Sequence, residues 1–113
     1  MTEITAGQFT AVGADTELAD DTAKRIVVDG QGICLARSRG TVYAIGDLCS
    51  HADVSLSEGE VLDGHVECWL HGSMFDLATG KPTGLPAIRP VATYPVKVED
   101  GTIFVSSTAI DQE

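Results

Sequence analysis

The sequence predicts a small all-β domain, an antiparallel β-sandwich or barrel of short strands. Short runs rich in Val, Ile, Tyr and Thr recur along the chain, and tight-turn dipeptides separate them. Twelve glycines and four prolines in 113 residues, with no sustained helical periodicity, argue against a bundle of helices.

The elements follow in order. The first 20 or so residues are weakly patterned, with Phe9–Val12 as a candidate edge strand. Strands are then expected over Ala23–Val28, Gly32–Ala36, Thr41–Ile45, Thr93–Val98 and Thr102–Val105. Asp29-Gly30, Asp63-Gly64 and Asp100-Gly101 suit tight hairpins, because both residues of such a step can take positive φ at little cost. Arg39-Gly40 is a fourth candidate turn, and Val61-Leu62 and Val66-Glu67 flank the second Asp-Gly step. Between Gly46 and Pro90 few other alternating runs occur, and long irregular stretches in a small domain usually bind something. All three histidines and two of the three cysteines fall there.

The length fits one domain, residues 1–113, with no repeat, low-complexity run or linker. Seventeen Asp and Glu against seven Lys and Arg give a formal charge of −10 and a pI near 4.4. Such a surface repels nucleic-acid phosphates and anionic lipid headgroups, so neither is an expected partner. The apolar runs are far shorter than the ~20 residues of a membrane helix. Met1-Thr2-Glu3-Ile4 begins no basic region followed by an apolar run, so a cytoplasmic location is expected. In a reducing compartment an odd number of cysteines points to ligands or buried thiols instead of a disulfide framework.

The informative residues are Cys49-Ser50-His51 and, after 16 intervening residues, Cys68-Trp69-Leu70-His71. Each half brings one thiolate and one imidazole, so two loops supply four ligands. That set can hold a tetrahedral Zn²⁺ or a mixed-ligand iron–sulfur cluster. A structural zinc site normally uses wider pairs than C-x-H. A Cys49–Cys68 disulfide suits the wrong compartment, and a Cys–His nucleophile would leave the paired symmetry unexplained.

The run Cys49-Ser50-His51-Ala52-Asp53, then Glu67 to Asp76, followed by Thr79-Gly80-Lys81-Pro82, closely resembles the Rieske [2Fe–2S] ferredoxin family. The resemblance covers about residues 28–105, with a cluster-binding segment of about 46–90. It implies that Cys49 and Cys68 hold an inner iron of one [2Fe–2S] cluster, and His51 and His71 an outer iron near the surface. Gly84-Leu85-Pro86-Ala87 stands where the family carries a proline loop over the cluster, and Pro86 would stiffen that loop by fixing its φ. Two Fe³⁺, two sulfides, two thiolates and two neutral imidazoles sum to zero, whereas four thiolates give −2. Reduction is correspondingly easier, with potentials of roughly −150 to +300 mV.

Rieske proteins of cytochrome bc complexes carry an extra cysteine in each loop; here those positions are Val54 and Leu70. Their tyrosine hydroxyl donor is replaced by Phe75, while their serine donor is kept as Ser73. Losing one donor to a ligand sulfur implies a potential toward the lower part of the Rieske range. Trp69 and Leu70 would be core or apolar cover for the cluster, and Met74 either cover or plain core. Cys34, between apolar neighbours on an expected strand, is read as a buried inert thiol, and His65 as an exposed turn histidine.

Without a membrane anchor, the protein is similar to the soluble ferredoxins of aromatic-ring dioxygenase systems. Its partners would be a flavoprotein ferredoxin reductase and a terminal oxygenase, and it would perform no substrate chemistry of its own. The wording of Ala52–Glu60 and Gly80–Pro86 is also similar to Rieske proteins that accompany actinobacterial iron–sulfur assembly proteins. The nitrite reductase small subunit shares the fold but commonly lacks the ligands. A zinc-stabilised interaction module is the alternative outside electron transfer.

Overall fold

A computed structural model describes residues 9–48, 54–69, 72–83 and 89–110. Ten strands form it: β1 Thr10–Ala14, β2 Thr22–Val28, β3 Gln31–Ser38, β4 Thr41–Gly46, β5 Val61–Leu62, β6 His65–Glu67, β7 Met74–Asp76, β8 Thr93–Tyr94, β9 Val96–Glu99 and β10 Thr102–Val105. Short 3-10 turns at Asp15–Glu17 and Leu56–Glu58 are the only helical elements among the described residues.

The strands make three antiparallel sheets, ordered β1-β10-β9, β2-β3-β4-β8 and β5-β6-β7. All four expected hairpin turns form. Asp29-Gly30, Arg39-Gly40, Asp63-Gly64 and Asp100-Gly101 each hold positive φ at both residues, between 51° and 80°. That backbone twist matches the twist of the flanking strands.

The four-stranded sheet is the middle layer. Along β3, Ile33 and Leu35 enter one core with Val28, Ala44, Tyr94, Ile103 and Val105, while Cys34 and Ala36 enter another. The second core holds Ile45, Leu56, Val61, Val66, Cys68, Phe75, Leu77 and Val91. A strand alternates its side chains between faces, so the unbroken apolar run 33–36 follows from burial on both sides. The two-sheet sandwich thus gains a third, smaller sheet, and that sheet is the irregular middle of the sequence.

Two expected elements change. The single strand Thr93–Val98 is divided at Pro95, which has no N–H to give to a ladder; β8 pairs with β4, and β9 pairs with β10. Gly13 adjoins a register shift in β1, which pairs with β10 beyond the expected Phe9–Val12.

Candidate metal centre

Three chain segments are each closed at a neck by backbone bonds between their flanking residues. The first neck lies at the end of β4. Leu48 bridges Ser55, and the Leu56 N–H donates to the Asp47 carbonyl at 2.6 Å. The Ser57 N–H donates to Asp47 Oδ1 at 2.9 Å. Residues 49–53 run between these anchors, so the expected ligands Cys49 and His51 lie outside the described residues.

The second neck joins β6 to β7. Cys68 N–H donates to the Ser73 carbonyl at 2.6 Å, and Gly72 N–H to the Cys68 carbonyl at 2.8 Å. Gly72 takes φ 79°, a conformation costly for a residue with a β-carbon. Cys68 is a free thiol buried in the second core, together with Phe75 and Leu56. Ser73, whose carbonyl accepts from Cys68, is fully buried and engaged, and Val54 packs against the same core. The expected residues Leu70 and His71 lie outside the described residues.

The third neck runs from β7 toward β8. Pro82 bridges Phe75, Thr83 N–H donates to the Met74 carbonyl at 2.8 Å, and Val91 N–H donates to the Gly80 carbonyl at 2.8 Å. Gly80 has no room for a β-carbon, which would overlap the Val91 carbonyl oxygen. Asp76 Oδ1 accepts from the N–H groups of Ala78 and Thr79 and shapes the turn between. Pro86 belongs to 84–88, outside the described residues.

The structure places the remaining sequence-predicted residues as follows. Trp69 is half exposed and Leu48 more so, which makes Trp69 surface and not core. Met74 is partly buried on β7. His65 is not an exposed turn residue: it lies on β6, opposite Asp76 of β7, with its side chain 29% exposed. Its Nδ1 is 2.9 Å from the Asp63 carbonyl oxygen, and Nε2 is 3.9 Å from Asp76 Oδ2. Cys34 is the inert thiol expected. Burial, aided by the negative charge of Asp47, pushes its pKa up to about 12.

Asp47, Gly59 and Gly80 were not singled out by the sequence reading. Their roles depend on which backbone each one touches, and only the position of Asp47 two residues before the first C-x-H pair offered a signal.

A fully buried free thiol in a loop closed by its own backbone, with the neck of the other Cys/His segment in the same core, fits a mixed-ligand cluster by donor chemistry. Of the four expected donors, the Cys68 sulfur is the one the described residues place, and it lies inside the core. Among the described residues no group of three or more metal-binding side chains assembles, since three of the four expected ligands fall in segments 49–53 and 70–71.

The Rieske [2Fe-2S] domain family matches residues 8–95 of the chain. The protein belongs to the Rieske [2Fe–2S] family, and its cofactor is a Rieske-type [2Fe–2S] cluster. The chain is 39% identical over 106 residues to the anthranilate 1,2-dioxygenase ferredoxin subunit of Burkholderia cepacia, covering 94% of this chain and 98% of that protein. Its fold matches the ferredoxin of carbazole 1,9a-dioxygenase from Nocardioides aromaticivorans IC177 at TM-score 0.83 and 36% identity, covering 88% of this chain and 98% of that one. It also matches a chain in a complex of reduced oxygenase and oxidized ferredoxin of carbazole 1,9a-dioxygenase, at TM-score 0.87 and 28% identity over 92% of this Rieske chain and 97% of the other.

Proposed function

We propose that this Rieske protein is a one-electron carrier that takes an electron from a flavoprotein ferredoxin reductase and passes it to a terminal, dioxygenase-type oxygenase. The observation that carries the reading is the likeness, over nearly the whole length of both chains, to a dioxygenase ferredoxin subunit. The complex of an oxygenase with a ferredoxin of this fold supports the choice of acceptor.

Cys49, His51, Cys68 and His71 would hold the cluster, which when bound supplies one reversible electron. The chain's own residues do the rest. The buried side of the site, formed by Cys68, Phe75 and Leu56, excludes water and holds the Cys68 sulfur in a low-dielectric core. Trp69 and Leu48, both exposed, adjoin the expected ligand segments in sequence and offer apolar surface to a partner. The three necks fix the described residues that flank the expected ligand segments.

The protein performs no substrate chemistry in this reading: its histidines beyond the expected ligands reduce to His65, too few for a separate mononuclear iron site. No helix among the described residues is long and apolar enough to cross a membrane.

The test is absorption and low-temperature EPR of the anaerobically purified, dithionite-reduced protein. A red-brown sample with a rhombic signal of mean g below the free-electron value is expected. One zinc per chain in a colourless sample overturns the electron-transfer function.

A further inference from the structure

We propose that Asp47 and Arg25 form an ion pair that holds the neck of the first ligand segment and, through its balance of charge, sets the potential of the electron carrier. The proposal rests on the reading of Cys49 and His51 as ligands.

Asp47 joins three parts of the fold. Its N–H donates to the Gly32 carbonyl of β3 at 3.2 Å, and its carbonyl accepts from Leu56. Its Oδ1 accepts from Ser57 N–H at 2.9 Å. The backbone bonds alone would close a neck; the side chain adds a second tie to the residue after the buried Leu56. Cys49 follows two residues later, so freedom at Asp47 passes directly to the first ligand.

The tie to Ser57 needs only a carbonyl-type oxygen, which Asn would supply as well. A carboxylate is needed for the other oxygen. Asp47 Oδ2 is buried and accepts no hydrogen bond among the described residues; Arg25 Nε stands 3.2 Å away. The Asp47 side chain is 3% exposed and that of Arg25 57%, so the guanidinium reaches inward from the surface to a buried charge. Burying an unpaired carboxylate is expensive, and the pairing offsets that cost.

The reach of Arg25 is built into the sheet. Its guanidinium lies across Gly32 on the neighbouring strand, where a β-carbon would stand 3.1 Å from Nη2 and 3.5 Å from Nε. The pair lines a cavity of about 490 Å³ together with Leu48, Ser55, Pro90 and Val91. That cavity therefore meets both the first neck and the far end of the third.

A carboxylate close to the redox centre opposes arrival of an electron, and a guanidinium favours it. Together they offset one another; alone, the buried carboxylate acts with little screening, while the guanidinium, partly in solvent, acts more weakly. Removing one charge therefore exposes the other.

The experiment compares the holoprotein with Asp47→Asn, Arg25→Gln, the double variant, Asp47→Ala and Gly32→Ala. It reads iron per chain, EPR, redox titration and the rate of cluster loss to a chelator. Asp47→Asn is expected to raise the potential and Arg25→Gln to lower it, with the double variant near wild type. Gly32→Ala, which crowds the guanidinium without altering net charge, should shift the potential in the same direction as Arg25→Gln and by less, and it serves if Arg25→Gln does not fold. Asp47→Ala, lacking the Ser57 acceptor, should lose the cluster about 10-fold faster or more, the scale of contacts that orient ligands. Asp47→Asn should not.

Shifts of the same sign, or none, in variants that keep the cluster overturn the proposal, as does equal cluster loss in Asp47→Ala and Asp47→Asn. A wild-type protein without iron and mixed-ligand EPR overturns the ligand reading instead.

Discussion

Gly59 lies flat against the backbone of Glu67: a β-carbon at position 59 would overlap the Glu67 carbonyl oxygen. The contact presses the Leu56–Glu58 turn onto β6, the strand that ends one residue before Cys68. Glu67 N–H donating to the Glu60 carbonyl at 2.9 Å, and Gly59 N–H to the Leu56 carbonyl at 2.9 Å, fix the same approach.

Gly59→Ala should therefore separate the two ligand-bearing parts. Since the obstacle is backbone and not a flexible side chain, the cost is expected at or above the usual roughly 1–3 kcal/mol of overpacking. Thermal melting reads the stability and iron content the consequence at the site. Gly30→Ala is the control: its φ of 79° disfavours alanine, whereas that of Gly59 is extended, and nothing stands within 4 Å of the added carbon, so it should lower stability while leaving iron content at the wild-type level.

Phe75→Tyr should raise the reduction potential. Phe75 is fully buried and shares a core with Cys68. It occupies the position where bc-type relatives place a hydroxyl donor to a ligand sulfur. A net hydrogen bond of about 1 kcal/mol that strengthens on reduction corresponds to roughly 40 mV for one electron. Redox titration of the variant with its cluster intact checks the sign, and an unchanged potential rejects this account of the donor set.

The turns were legible from sequence because they depend on local chemistry. Asp29-Gly30, Asp63-Gly64 and Asp100-Gly101 carry their φ preferences with them, and the hairpins follow. The split at Pro95 could have been read from the missing N–H, but assigning its two halves to different sheets requires knowing the partners β4 and β10. Strand β7 was missed because Met74–Asp76 has only three residues, too few to show alternation, and forms by pairing with β6. The expected ligand set rests on a spacing of residue types, and of its four members only Cys68 lies among the described residues. Asp47 was not legible: one acidic residue among seventeen carries no mark until its carboxylate is found buried against Arg25.

Arg37 is a structural hub remote from the expected ligands in sequence. Its Nε donates to the Leu18 carbonyl at 2.8 Å, Nη1 to the Gly40 carbonyl at 3.3 Å, and Nη2 to the Asp15 carbonyl at 3.2 Å while pairing with the Asp15 carboxylate. Arg37→Ala should lower stability by about 2–3 kcal/mol, since charge-assisted bonds are lost and carbonyls are left partly unpaired. Arg37→Lys should restore little, because one ammonium cannot reproduce the fork of donors. Denaturant midpoints measure both.

A net charge of −10 should make electron transfer slow as salt is added. Attraction to a basic docking face on the partner is screened over about 8 Å at physiological ionic strength. Stopped-flow transfer rates measured over a series of salt concentrations should fall continuously, and a flat profile rejects steering by the acidic surface.

Cys34 predicts an alkaline loss of stability with a definite sign. Burial, with Asp47 adding to it, raises the thiol pKa from its ordinary 9.0 to about 12 in the folded chain. Below pH 9 both folded and unfolded chains hold the proton, so this stabilising contribution is complete there. Between pH 9 and 12 the unfolded chain binds fewer protons than the folded one, and stability falls as pH rises, by about 1.4 kcal/mol per unit. Cys34→Ala has no such proton to lose. Its baseline stability should drop for lack of the buried sulfur, but its decline from pH 9 upward should be shallower than that of the wild type by this increment. Denaturant unfolding of both proteins across that range measures the difference in slope, and parallel profiles would show that the Cys34 thiol titrates normally.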